Sequence, residues 1–276
     1  MIQFQALESG NIECMLFSQT LASIQPQDKG WSAIVGEDWS QGRATFGGMV
    51  AALGNEAMRR LVPADRKLRG LETVFAGPAL AGVVRIEAEV LRVGKAVTIA
   101  SARLWSADKI AATLTGTYGI ARSTAMSLLP TAPLGVPAVQ NLPEGIPGAG
   151  APAFAQHFDL RWAEGAWPFS GSSSNKLKVY VRHRDPAALT ESHVIALVDG
   201  IPSVILQMLS TPVPSSSLTW TLQFLKHDFG FVSDAWWRID AEVDSAAEGY
   251  SCESSVVFDP SGAPAVLSRQ MVAVFG

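Results

Sequence analysis

This chain of 276 residues is poor in the side chains that carry metal, redox or covalent chemistry. Its two cysteines, Cys14 and Cys252, lie far apart and in no Cys-x-x-Cys pair, which excludes a zinc ribbon and a dithiol redox motif. They permit one disulfide, but a reduced, cytoplasmic protein is the simpler expectation. None of the four histidines, His157, His183, His193 and His227, has a partner at metal-binding spacing, so no metal is expected. There is no Gly-x-Ser-x-Gly elbow and no Gly-x-x-x-x-Gly-Lys-Ser/Thr phosphate loop. His183-Arg184-Asp185 shares three letters with a kinase catalytic loop, and no other kinase signature accompanies it. Charged residues are scarce at 17%, against 48% hydrophobic, which excludes disorder by charge excess. The net charge of −4 speaks against a nucleic-acid binder, whose footprint is a basic face. The most apolar stretch, His193 to Leu209, is too short to span a bilayer and carries Asp199 and Pro202. Met1 to Glu8 lack the basic start and apolar run of a secretory leader.

What the chain does have is an internal echo. Val84-Arg85-Ile86-Glu87-Ala88-Glu89-Val90 returns as Trp237-Arg238-Ile239-Asp240-Ala241-Glu242-Val243. Both segments alternate apolar and polar residues, as a strand with one buried face does. Leu71 to Phe75 matches Thr219 to Phe224 upstream, and each copy ends in a hairpin tip and one more strand. Before these strands each copy has a helix-compatible run that is apolar nearly all round, Gly48 to Leu61 and Thr190 to Leu209. Each copy reads as a buried helix followed by four antiparallel strands. Between them, Pro130 to Pro152 holds six prolines and one charge, Glu144, so it neither pairs as a central strand nor runs as a helix. Gly145 to Gly150 belongs to this linker. The expected units are 1–125, a linker 126–152, and 153–276.

Four segments resemble the acyl-CoA thioesterase II family. Thr45-Phe46-Gly47-Gly48-Met49-Val50-Ala51 resembles its Phe-Gly-Gly-Gln-Val helix start. Arg92-Val93-Gly94-Lys95-Ala96-Val97 resembles its Arg-x-Gly-Lys/Arg-x-Phe strand pair. Ala196-Leu197-Val198-Asp199 is similar to the Ala-x-x-Asp helix segment, and Ser268-Arg269-Gln270 to the final-strand Ser/Thr-x-Gln. The resemblance implies an α+β double hotdog, two tandem hotdog units each with a long helix wrapped by an antiparallel sheet. It implies hydrolysis of acyl-CoA without a cofactor, by a water that an Asp, a Ser or Thr and a Gln orient. Carried over by motif, these are Asp199, Gln270 and either Ser217 or Thr219. Gly47, Gly48 and Gly200 are the candidate substrate-binding positions. The family often has Ser/Thr-x-Asp-His in the strand where this chain has Ser217-Leu218-Thr219-Trp220, a departure.

On the residues alone, Asp199 reads as the cap of a helix begun at Pro202. The resemblance turns the reading towards catalysis: a carboxylate among Ile195, Leu197, Val198 and Ile201 is expensive unless it is hydrogen-bonded or reaches a cleft. The Gln270 amide can hold a water and a carboxylate together. Strict alternation puts Ser217 and Thr219 on one face, so the pattern does not choose between them. Arg59, Arg60, Arg66, Lys67 and Arg69 are candidates for the CoA phosphates, although a solvated helix end is the better explanation, since cations near a helix C-terminus are favourable on their own. Trp162, Trp167, Phe169, Trp236 and Trp237 are candidates for an acyl channel or for plain packing. The rivals to a thioesterase are a non-catalytic acyl-ligand binder of the same fold and, ranked last, a hydratase. Unpaired sheet edges lead us to expect a homo-oligomer.

Overall fold

The computed structural model describes residues 14–143, 145, 150–230 and 234–275. The segment 1–8, read above for a leader, and 146–149 of the glycine-rich run lie outside the described residues. In the first half, α1 (Phe17–Ala22), β1 (Gln25–Pro26), β2 (Trp31–Val35), β3 (Ser40–Gln41) and β4 (Ala44–Thr45) precede α2 (Gly47–Arg59). Four strands follow it: β5 (Lys67–Phe75), β6 (Gly82–Val93), β7 (Val97–Ser106) and β8 (Lys109–Gly119). In the second half, β9 (Phe158–Glu164) and β10 (Lys176–His183) precede α3 (Glu191–Val198) and α4 (Ile205–Met208). Then come β11 (Ser215–Phe224), β12 (Trp237–Ala247), β13 (Tyr250–Phe258) and β14 (Pro264–Val274).

Twelve strands form one antiparallel sheet in the order β1-β2-β6-β7-β8-β5-β11-β14-β13-β12-β10-β9. The halves join where β5 pairs with β11, Val74 across from Thr219 and Gly70 across from Gln223. Strands such as β7 and β10 alternate buried and more exposed residues, so one face packs on the helices and the other meets solvent. This is the double hotdog. Between the halves the chain is mostly irregular, and Arg161 ties it down by donating to the carbonyls of Val139 and Leu142 at 3.1 and 3.2 Å.

α2 is rich in Ala, Met and Leu, strong helix formers, and Pro63 follows its end. It lies antiparallel to α3: Gly48 meets Ala196 and Asp199 at one end, and Asn55 donates to Ser192 at 3.0 Å near the other. Gly48 allows this approach. A Cβ on Gly48 would stand 2.9 Å from the Ala196 Cα and 2.7 Å from the Phe46 ring. The second apolar run departs from expectation. It is not one long helix, because α3 stops at Val198 and α4 begins only at Ile205. Pro202 lacks the N–H that a continuing helix needs and disfavours helical backbone at Ile201. Asp199 therefore closes α3 as its C-cap.

Substituting Gly48 on α2 and Gly70 on β5 should separate a crowded glycine from an uncrowded one. Gly48→Ala should destabilise by about 1–3 kcal/mol, because backbone stands in the way. Gly70→Ala, whose Cβ would meet Leu222 O at an ordinary 3.5 Å, should be neutral or stabilise by roughly 0.4–1 kcal/mol. Urea unfolding of both variants checks this, and equal midpoints would refute the packing argument.

Candidate active site

Three elements converge at the junction of the halves. The break after α3 presents Asp199, the start of α2 presents backbone N–H groups, and β14 with β11 presents Gln270 and Ser217. The Gly48 N–H donates to Asp199 Oδ2 at 2.7 Å. Gln270 Nε2 donates to Ser217 Oγ at 2.5 Å and, at a long 3.4 Å, to Asp199 Oδ1. All three residues are half-buried. A cavity of about 30 Å³, bounded by Asp199, Ile201, Pro202, Glu253, Ser268 and Gln270, lies against two of them, Asp199 and Gln270. That is room for a water molecule with polar partners on several sides.

The glycines at the start of α2 make this meeting possible. A Cβ on Gly47 would stand 2.9 Å from Asp199 Oδ2 and 3.2 Å from the Phe75 ring. The N-cap, Phe46, offers no side-chain bond to the first turn. One orphan donor of that turn, Gly48 N–H, is met by Asp199 from the other half of the chain. The Gly47 N–H has no hydrogen-bond partner among the described residues and points from the positive end of the helix. Gly200 sits tightly too, since a Cβ there would approach Leu197 O at 3.1 Å and the Phe158 ring at 3.3 Å.

The structure places Ser217 and Thr219 on opposite faces, against the expectation that they share one. A bulge between Ser217 and Thr219 inserts an extra residue into β11, which resets the alternation. Trp220 and Gln270 stand across from each other and face inward, as do Ser217 and the buried Val272. Thr219 pairs with Met271 and with the exposed Val74, so it faces outward. Trp220 fills the wall beside Gln270 and donates its indole N–H to Ser268 Oγ at 2.8 Å.

Other candidates lie elsewhere. Arg59 donates to Arg66 O at 2.6 Å and pairs with Glu191 at 3.5 Å, while Arg66 bonds Thr98. Arg69 donates to Gly119 O at 3.2 Å and bonds His227. These three arginines thus knit the turn at the end of α2 remote from Gly47, leaving Arg60 and Lys67 exposed. Trp162 packs on Trp167, and Trp236 lies between Arg161 and Arg182. Trp237 is buried core. None of these, nor Phe169, borders the cavity beside Asp199. Both cysteines are free thiols. Among the described residues, Cys14, Asp38 and His157 form one group with metal-ligand chemistry, their donor atoms within 4.8 Å of one another. His157 Nε2 lies 2.9 Å from Asp38, its ring stacks on Trp39, and burial pushes its pKa down, so this group is accounted for by an imidazole packed under an indole beside Asp38. It shares no residue with the site around Asp199.

Burial pushes the Asp199 carboxyl from 3.8 up to about 7, against the Gly48 N–H and the Gln270 amide, which pull it down. A carboxyl in that range can hold or release a proton near neutrality, as a general base must. Sequence reasoning named Gly47 as a substrate-binding position and missed Glu253, which was legible as an acid sharing an inward strand face with Val257.

The family described as acyl-CoA thioesterase C-terminal domain matches residues 131–274, and the acyl-CoA thioesterase N-terminal domain matches residues 35–119. Comparison with curated protein sequences gives no match. Among solved structures, a hot dog fold protein of unknown function from Alicyclobacillus acidocaldarius is similar with a TM-score of 0.83 and 20% identity, covering 94% of this chain and 98% of its own. An acyl-CoA thioesterase II from Mycobacterium marinum is similar with a TM-score of 0.74 and 18% identity, covering 93% and 97%. The tesB protein of Mycobacterium avium subs paratuberculosis gives a TM-score of 0.74 at 17% identity, covering 94% and 98%. At these identities the structures speak for the fold.

The raised carboxyl of Asp199 has a consequence for stability. The folded chain holds this proton up to about pH 7, the unfolded chain only near 3.8. The group therefore favours folding at low pH, and that contribution is lost as pH rises through this window. Asp199→Asn should raise the melting temperature by a few degrees relative to wild type at pH 8, and by much less at pH 4. Scanning calorimetry at both values checks it; an offset independent of pH would contradict the assignment.

Proposed function

Since the chain belongs to the acyl-CoA thioesterase family, we propose that it hydrolyses an acyl-CoA thioester to the free acid and CoA by direct attack of water. The observation that carries this reading is the meeting of Asp199, Gln270 and Ser217 beside a water-sized cavity, at the start of a helix. Asp199 accepts a proton from the water as its oxygen bonds to the acyl carbon. Gln270 and Ser217 hold that water by their hydrogen-bonding groups. The Gly47 N–H, aided by the helix dipole, faces the oxygen on which negative charge develops. The C–S bond then breaks, and the proton held by Asp199 passes to the departing sulfur, which leaves the acid, CoA thiol and a regenerated carboxylate.

The acyl-CoA substrate is part of this proposal, as is a reducing, cytoplasmic setting, which the two free thiols fit. A homo-oligomer joined at the sheet edges, β1 and β9, completes it.

Thiol release from short, medium, long and aromatic acyl-CoAs tests the reading. Asp199→Ala and Gln270→Ala should each lower kcat by roughly 100-fold or more, and Ser217→Ala by roughly 10-fold. Thr219→Ala, on the outer face, should match wild type. For wild type, kcat/KM should rise as pH increases through about 7, where Asp199 loses its proton, and level off above. Tight acyl-CoA binding without thiol release would establish a ligand binder instead.

A further inference from the structure

Glu253 stands directly across β13–β14 from Gln270 and is buried. Among the described residues it pairs with no cation. It is satisfied by hydrogen bonds instead: Oε1 accepts from Ser203 Oγ at 2.6 Å, Ile205 N–H at 3.0 Å and Ser251 Oγ at 3.3 Å. Oε2 accepts from Val204 N–H at 2.9 Å. Three of these donors come from consecutive residues of the segment that leaves Asp199. That segment runs from the end of α3 into the first residue of α4, and Pro202 has no N–H with which to help anchor it. Glu253 borders the same small cavity as Asp199, and these two carboxylates are the only ionisable groups around it among the described residues.

We infer that Glu253 is a positioning residue: it pins the segment 200–205 so that the Asp199 carboxylate stays enclosed and aimed at Gln270 and the start of α2. This rests on the reading of Asp199 as the base. The carboxylate suits the task because it only accepts hydrogen bonds and offers both oxygens to donors of one short stretch. An amide of the same shape keeps one acceptor and turns a second donor group against Val204 N–H or Ile205 N–H. The segment then loosens, and water reaches Asp199 from the cavity side.

Glu253→Gln tests this, with two readouts. One is kcat and KM for the acyl-CoA that wild type hydrolyses best. The other, independent of turnover, is the titration midpoint of the Asp199 carboxyl carbon followed by NMR in labelled protein. The variant should keep its circular dichroism spectrum, lower kcat by roughly 10-fold with KM little changed, and move the Asp199 midpoint to lower pH. An unchanged midpoint with unchanged kcat would overturn the proposal. Glu253→Gln also removes a negative charge beside Asp199, which alone lowers the midpoint, so the charge-neutral Ser203→Ala is the deciding variant: it removes one tether and should shift the midpoint the same way by a smaller amount, and no shift would overturn the proposal. A wild type that releases no thiol, with a midpoint that still moves in Ser203→Ala, would remove the enzymatic reading and leave the positioning role standing.

Discussion

The hydrogen bond from Gly48 N–H to Asp199 joins the two halves of the chain and sets the demands that surrounding residues meet. It brings a carboxylate into a place where water is scarce, so the group must be held by donors or take up a proton. The start of α2 supplies a donor, but only if nothing larger than hydrogen projects from positions 47 and 48. The helix that carries the carboxylate must stop there, which Pro202 and Gly200 arrange. The stretch beyond the stop must then be held, and Glu253 does this from the sheet.

A helix pair with two ends offers two such crossings, and the chain treats them differently. At the other end, the start of α3 meets Asn55 and Glu56 of α2. There Tyr118 donates to Asn55 Oδ1 at 2.9 Å, and Ser192 donates to Glu56 at 2.7 Å. The Tyr118 ring lies over Gly116, where a Cβ would be 2.6 Å from it, and so fills the space beside the last strand of the first half. Burial drives its phenol well above the usual range, so it stays a neutral donor. β5 carries a bulge between Leu68 and Gly70 much as β11 does between Ser217 and Thr219. On the first strand the inward residue before the bulge is Leu68; on the second it is Ser217. One crossing is thus packed shut with matched polar groups, and the other keeps a cavity and a carboxyl poised near neutrality.

Much of this was legible in the sequence because it depends on repetition and on period. Two matching strands, two apolar helical runs and a proline-rich bridge imply two similar units, and Asp199 stood out as a charge in an apolar run. The choice between Ser217 and Thr219 was not legible, because a bulge inserts one residue and reverses every face beyond it without changing composition. The basic cluster after α2 was read first as a helix end and only second as a phosphate site; clustering in sequence says nothing of whether arginines are already spent on carbonyls and on Glu191. Glu253 escaped notice because its partners are backbone N–H groups nearly fifty residues away in sequence.

In the proposed reaction the chain delivers a water molecule to the thioester carbon and never carries the acyl group itself. A single turnover in water labelled with heavy oxygen, quenched and weighed by mass spectrometry, reads this directly. Direct attack of water puts one heavy oxygen in the released acid and leaves the mass of the protein unchanged at any time. Unlabelled acid with heavy oxygen left in the Asp199 carboxyl, or an acylated protein caught at Ser217, would contradict it.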